Sequence, residues 1–125
     1  MTRGLGLAVV LCGSAILPVK LSAQNDPAIN TEARAIFQQL IETNTSDSVG
    51  NVTKASEAMA KRLLAAGFQE KEVIVAGPND RKKNLVVRFH GSGQKNPILF
   101  IGHLDVVEAR REDWSVDPFQ FIEKH

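Results

Sequence analysis

Pro97-Ile98-Leu99-Phe100-Ile101-Gly102-His103-Leu104-Asp105-Val106-Val107 is the stretch on which the reading of the fold turns. Pro97 to Ile101 is apolar without alternation and is closed by a glycine, which predicts a strand covered on both faces in the middle of a sheet. In extended chain beyond it side chains alternate, so His103 and Asp105 share one face while Leu104 and Val106 point to the other. An imidazole and a carboxylate thus become neighbours at the carboxyl end of a buried strand, where open α/β sheets take their ligands. Gly102 leaves room there for close approach. A His and an Asp two residues apart also recur by chance as surface polar groups, so the pair draws its meaning from what surrounds it.

Two more short apolar runs precede it. Glu72 to Ala76 is stopped by Gly77-Pro78, and Leu85 to Phe89 by Gly91-Ser92-Gly93, so both read as strands. Helices come first. With Asn30 as a cap, Ala33, Ile36, Phe37, Leu40 and Ile41 recur at helical spacing and predict a helix with one buried face. Thr43 to Asn51 lacks periodicity and is rich in Thr, Ser, Asn, Asp and Gly, which predicts a loop. A second helix is expected from about Thr53 to Ala66, with Ala55, Met59, Leu63 and Ala66 on one face and Gly67 placed to end it. Gln24 to Ala28, polar and containing Pro27, suits a flexible lead-in. Helix, helix and three strands make an α/β or α+β layered arrangement whose last strand is deeply buried.

The first 23 residues differ from the rest. Arg3 supplies a positive start, Leu5 to Leu17 is almost uninterruptedly apolar, and Leu21-Ser22-Ala23 precedes Gln24 as a small-residue cleavage site. Residues 1–23 therefore read as a secretory signal peptide, and residues 24–125 as an exported periplasmic or secreted chain. The competing reading is a membrane anchor, but the apolar run would span only about 20 Å of a ~30 Å hydrocarbon core, so no stable membrane span is expected after cleavage. Cys12, the single cysteine, lies inside that run behind a leucine too large for a lipoprotein processing site. The mature chain then has neither disulfides nor thiolate metal sites, and a metal must be held by His, Asp or Glu. With 15 basic and 14 acidic residues the formal charge is +1, and removal of Arg3 and Lys20 leaves 13 basic groups. A near-neutral chain has no electrostatic footprint for nucleic acid. The composition, 43% hydrophobic and 23% charged without repeats, is that of a globular chain long enough for one core.

Gly102-His103-Leu104-Asp105-Val106-Val107, followed by Asp113-Trp114-Ser115-Val116-Asp117-Pro118-Phe119, resembles the first signature of a zinc metallopeptidase superfamily. That superfamily unites the aminoacylases, carboxypeptidase G, acetylornithine deacetylase and succinyl-diaminopimelate desuccinylase. The order of two helices, a strand pair and a His-x-Asp strand extends the likeness from Asn30 to Lys124. The resemblance implies that residues 24–125 are the N-terminal part of the catalytic domain, a partial three-layer α/β sandwich of two helices followed by the sheet core. It implies that His103 ligates one of two zinc ions and that Asp105 is the catalytic-site carboxylate orienting His103. Trp114, Pro118 and Phe119 would pack the loop beside the site. Glu108-Ala109 departs from the pattern, since many members have a proline soon after the two valines.

The same resemblance implies zinc-dependent hydrolysis of peptide or N-acyl amide bonds, of the exopeptidase or deacylase type. Peptide or N-acyl amino acid substrates are expected, peptides being favoured by export. It places the bridging Asp, the paired Glu residues, the later metal ligands and a lid domain beyond this stretch. A catalytic zinc needs about three protein ligands, and here one matches, so the chain is expected to be incomplete and inactive alone. A homodimer is implied only where the lid is present. His90 reads as a strand-end surface residue, His125 as a terminal one, and Asp113 and Asp117 as solvated turn formers. Two other readings stand beside the enzyme: a non-catalytic exported domain binding a peptide or partner through an open sheet edge, and a chain that does not fold alone because strands meant for a central sheet lack neighbours.

Overall fold

Asp26 starts the first helix. In the computed structural model, which describes residues 26–124, its carboxylate accepts the Ala28 N–H at 2.9 Å and Pro27 opens α1, Pro27–Ile41. The cap is therefore Asp26 rather than Asn30, and Pro27 and Ala28 belong to the helix instead of a flexible lead-in. The reason is that proline costs nothing in the first turn, where its missing N–H would have no partner, and its fixed φ already suits a helix. The expected signal peptide, with Cys12, and His125 lie outside the described residues.

Asn51 caps α2, Val52–Ala65, by accepting the Lys54 N–H at 3.1 Å. The helix ends as the sequence predicts. Gly67 takes φ +100°, and the N–H groups of Phe68 and Gly67 close onto the carbonyls of Leu63 and Leu64, each at 3.1 Å. This is a Schellman closure, which uses orphan carbonyls of the last turn. A Cβ at Gly67 would meet no atom within 4 Å, so an alanine there suffers only the backbone penalty. Gly67→Ala is expected to cost about 1–2 kcal/mol, read as a lower urea midpoint of the helical circular-dichroism signal.

After a short 3₁₀ turn, Glu70–Glu72, the chain forms an antiparallel hairpin of β1, Val73–Ala76, and β2, Asn84–Val87. The register pairs Val73 with Val87, Ile74 with Val86, Val75 with Leu85 and Ala76 with Asn84. Alternation leaves Val73, Val75, Leu85 and Val87 half-buried, with α2 packed against both strands, while Ile74 and Val86 stay exposed. Polar groups complete the joint. Ser56, fully buried, donates Oγ–H to the Lys83 carbonyl at 2.8 Å, and Thr53 Oγ1 accepts the Lys83 N–H at 2.9 Å.

α1 joins α2 mainly through Arg62, which donates to Gln39 and Glu32, each at 2.7 Å, and to the Ala35 carbonyl at 3.3 Å. Its expected buried face is only half realised. Ile36, Leu40 and Ile41 are half-buried and Phe37 is exposed. Phe37 meets Phe121 edge-on at 5.8 Å, where the chain returns to α1. There Arg34 holds Glu123 with two bonds, of 2.9 and 2.6 Å, and lies 4.9 Å over the Phe121 ring. The expected loop packers differ in part: Pro118 and Phe119 are half-buried, Trp114 is exposed, and Phe121 does the aromatic packing.

The largest departure is the segment from Pro97 to Ile101. It does not form a strand, and Ile98, Leu99, Phe100 and Ile101 are 78%, 80%, 88% and 87% exposed. A central strand is made by neighbours on both edges, and among the described residues no backbone group of residues 97–103 bonds to another segment's backbone. The close approach expected at Gly102 is likewise absent, with open space around it. Among the described residues Ala55 and Ala60 are the only buried apolar side chains. The architecture is thus mixed α/β: two helices and a two-stranded antiparallel sheet. Among the described residues no helix is long and apolar enough to cross a membrane.

Candidate functional site

The site rests on the loop between α1 and α2. Asn44 Oδ1 accepts both the N–H of Ser46, at 2.9 Å, and its hydroxyl, at 2.8 Å, and so bends the chain into an Asx turn. Gly50 N–H returns to the Ser46 carbonyl at 3.0 Å, and Asn51 N–H to the Asn44 carbonyl at 2.9 Å. A Cβ on Gly50 would collide with the Ser46 backbone, so this position requires glycine. Thr45 and Ser46 are buried with their hydroxyls bonded, which removes the cost of burying them.

A cation from the hairpin turn clamps this loop. Arg81 donates Nε–H and Nη2–H to the Gly50 carbonyl at 3.0 and 2.6 Å, and Nη2–H also reaches the carbonyls of Ser48, at 3.1 Å, and Asp47, at 3.4 Å. Lys82 pairs with the Asp47 carboxylate, whose pKa is held below the ordinary value by that hydrogen bond and charge. Residues 47–50 are therefore fixed to the same turn that is tied to α2 through Lys83.

The loop in turn holds the His-x-Asp segment. Thr45 Oγ–H donates to the Leu104 carbonyl at 2.7 Å, and Ser46 forms an isolated parallel bridge with Val106. Ser48 grips Glu108, its N–H and hydroxyl each 2.8 Å from a carboxylate oxygen. The Ser48 N–H, then its hydroxyl, holds the Glu108 carboxyl below the usual glutamate range. A depressed folded-state pKa stabilises above the unfolded value and is lost as pH falls through the folded one. The Ser48–Glu108 clip is thus expected to be closed at neutral pH and to open in acid. The Ser48 amide proton shift should titrate with a midpoint below that of an ordinary glutamate, and a midpoint at or above that value contradicts the clip.

His103 and Asp105 lie beside each other, though not at the end of a buried strand as expected, since no strand forms there. The ring Nδ1 lies 2.9 Å from the Asp105 main-chain carbonyl oxygen and 3.5 Å from its carboxylate. The hydrogen bond therefore runs to the backbone, and the carboxylate stands beside it as a charge. A neutral ring bonded to a carbonyl through Nδ1 carries its proton there, which leaves Nε2 with a free lone pair. Both side chains are well exposed and border an open depression with Asp47, Val107 and Glu108.

Among the described residues no three His, Cys, Asp or Glu side chains converge to hold a metal ion. The donors present fit one coordination position, the free Nε2 of His103, and not a closed site. His90 stands apart, 3.7 Å from Glu72 beyond the end of β2. Asp117 forms a turn by accepting the Phe119 N–H at 2.8 Å, and Asp113 ends a 3₁₀ turn, Arg111–Asp113. The sequence reading missed Arg81, Thr45 and Ser48. Glu108 was visible only as a departure from a family pattern.

Comparison of the chain with protein-family models, with curated proteins and with solved structures gives no match in any of the three. The functional reading rests on the residues and their geometry.

Proposed function

We propose that this chain contributes the His-x-Asp corner of an exported two-zinc hydrolase of peptide or N-acyl amide bonds, as the N-terminal part of a three-layer α/β catalytic domain. One observation carries the reading: His103 sits next to Asp105 with Nδ1 2.9 Å from a carbonyl oxygen, so that a neutral ring has its Nε2 lone pair to offer. That is the state in which an imidazole ligates a metal, its second nitrogen fixed by a hydrogen bond and a carboxylate at hand. Bound zinc would lower the pKa of a water molecule and polarise the amide carbonyl. His103 would hold one ion, and Asp105 would balance part of its charge. The loop at Thr45, Ser46 and Ser48 would keep both in place.

The exposed run from Ile98 to Ile101 supports the same reading. Four consecutive apolar residues without alternation suit the middle of a sheet, and the strands flanking them would come from further polypeptide of the hydrolase. The remaining ligands, the general base and the lid would come from it as well. Export through residues 1–23 favours peptides as substrates. A second reading, a non-catalytic exported domain that takes up a peptide by strand addition, draws on the same exposure.

Zinc titration followed by histidine side-chain NMR separates the two. The ring of His103 is expected to respond before that of His90, its Nδ1 proton retained, and His103→Ala should remove the response. A chain whose His103 ring stays unperturbed at millimolar zinc refutes the metal reading, and peptide binding that survives His103→Ala favours strand addition.

A further inference from the structure

We propose that the hollow beside Asp105 is a carboxylate subsite, in which Arg81, Lys82 and Asn84 bind an anionic group of the substrate while its amide lies towards His103. The inference rests on the hydrolase reading and names a substrate feature that reading leaves open. Arg81, Lys82 and Asn84 come from the hairpin turn and the start of β2, and with Asp47 and Asp105 they line one hollow against the Thr43–Asn51 loop. Asp47 and Asp105 also border the depression that holds His103, so the two hollows share a wall. No residue from 97 to 103 lines the first of them, which is therefore separate from the run that further strands would flank.

The polar groups of this hollow hold more donors than the fold uses. The Arg81 clamp spends Nε–H and Nη2–H on loop carbonyls, and the Nη1 protons have no partner among the described residues. Lys82 gives its ammonium to Asp47 alone, which leaves donors of that group unspent. The Asn84 carboxamide is unpaired among the described residues, with its backbone held opposite Ala76. A guanidinium edge, an ammonium and a carboxamide around one hollow suit a carboxylate, whose two oxygens accept several such bonds at once. Charge agrees. Lys82 and Asp47 cancel as a pair, and a zinc ion on His103 would balance Asp105, so the Arg81 guanidinium is left in excess. Arg81 is also already held by the loop carbonyls, so binding an anion orders little that the fold has not ordered.

Titration of the zinc-free chain with N-acetylglycine, followed by NMR of the Asn84 carboxamide and the Arg81 Nε–H, tests this. A saturable response in about the millimolar range is expected, and N-acetylglycinamide, which lacks the carboxylate, should give none. Lys82→Met should weaken binding by about fivefold, and Asp105→Asn, which removes a negative charge from the wall, should tighten it by a similar factor. Amide protection at Gly50 should be unchanged in both variants, which shows that the loop still holds the hollow. N-acetylisoglutamine, whose only carboxylate is in its side chain, separates the two possible sources: tighter binding than N-acetylglycine assigns the hollow to an acidic side chain, weaker binding to the α-carboxylate. A chain that responds to neither acid, that responds equally to N-acetylglycinamide, or whose affinity ignores both substitutions overturns the proposal. Tighter binding of inorganic phosphate than of either acid overturns the assignment to a carboxylate. Because zinc is left out, carboxylate binding by a chain whose His103 never takes zinc refutes the hydrolase reading alone, and a zinc response at His103 without carboxylate binding refutes the subsite alone.

Discussion

Replacing Arg81 with alanine is expected to release the Thr43–Asn51 loop and, through it, the segment that carries His103 and Asp105. The guanidinium binds the carbonyls of Gly50 and Ser48 closely and that of Asp47 at longer range. Hydrogen bonds from a charged donor are worth about 1.5–3 kcal/mol each when well enclosed. Arg81 is partly solvated, so about 2 kcal/mol for the whole clamp is the reasonable scale. That corresponds to roughly a 30-fold loss of amide protection at Gly50 and Asn51, whose N–H groups close the loop. The effect should travel. With the loop open, Thr45 and Ser48 no longer hold Leu104 and Glu108 in register, and the depressed Glu108 pKa should return towards its ordinary value. Arg81→Lys keeps the charge but loses the planar fork that reaches several carbonyls at once, so it should recover only a minor part. Unchanged protection at Gly50 in Arg81→Ala would show that the Asx turn alone holds the loop.

What the sequence discloses about this molecule is the local part. The two helices announce themselves through spacing and punctuation. The α2 stop at Gly67 is legible because a glycine after an apolar-periodic run has one common use, a left-handed closure. The start of α1 was obscured because Asp26-Pro27 serves equally as a polar linker and as a cap followed by a first-turn proline. The hairpin is legible from its breakers, Gly77-Pro78 above all. His103 and Asp105 meet because they lie two residues apart, which is again local.

The rest depends on contacts across the chain. Arg81 reaches Gly50 over 31 residues, Thr45 reaches Leu104 over 59, and Ser48 reaches Glu108 over 60. No spacing rule connects such pairs, so the residues that hold the site are invisible to a periodicity argument. Ile98 to Ile101 illustrates the complementary limit. An apolar run states what environment a segment prefers, but a strand is a relation between segments, and the described residues supply no second member. Preference and partner are separate facts, which is why an unalternating apolar run that reads as a central strand can stand 78–88% exposed.

In the zinc hydrolase proposed for this chain, His103→Ala and Asp105→Asn are expected to fail differently. Loss of the His103 imidazole removes a ligand, so one of two zinc ions should be missing by elemental analysis and hydrolysis of dipeptides and N-acyl amino acids should be abolished. Asp105→Asn leaves the ligand in place. Removing a carboxylate that supports a ligating histidine typically costs about 10–100-fold in metal affinity or activity. Here the low end is expected, because Nδ1 is engaged by the Asp105 main-chain oxygen at 2.9 Å, which the substitution retains, while the carboxylate stands at 3.5 Å. The backbone would continue to fix the ring tautomer, and only the charge opposite the metal would be lost. Asp105→Asn should therefore keep two zinc ions at saturating metal, lose them about tenfold more readily to a chelator, and regain most of its rate when zinc is added. A variant that stays as inactive as His103→Ala with both ions bound would instead make the Asp105 carboxylate a direct participant in proton transfer or substrate binding.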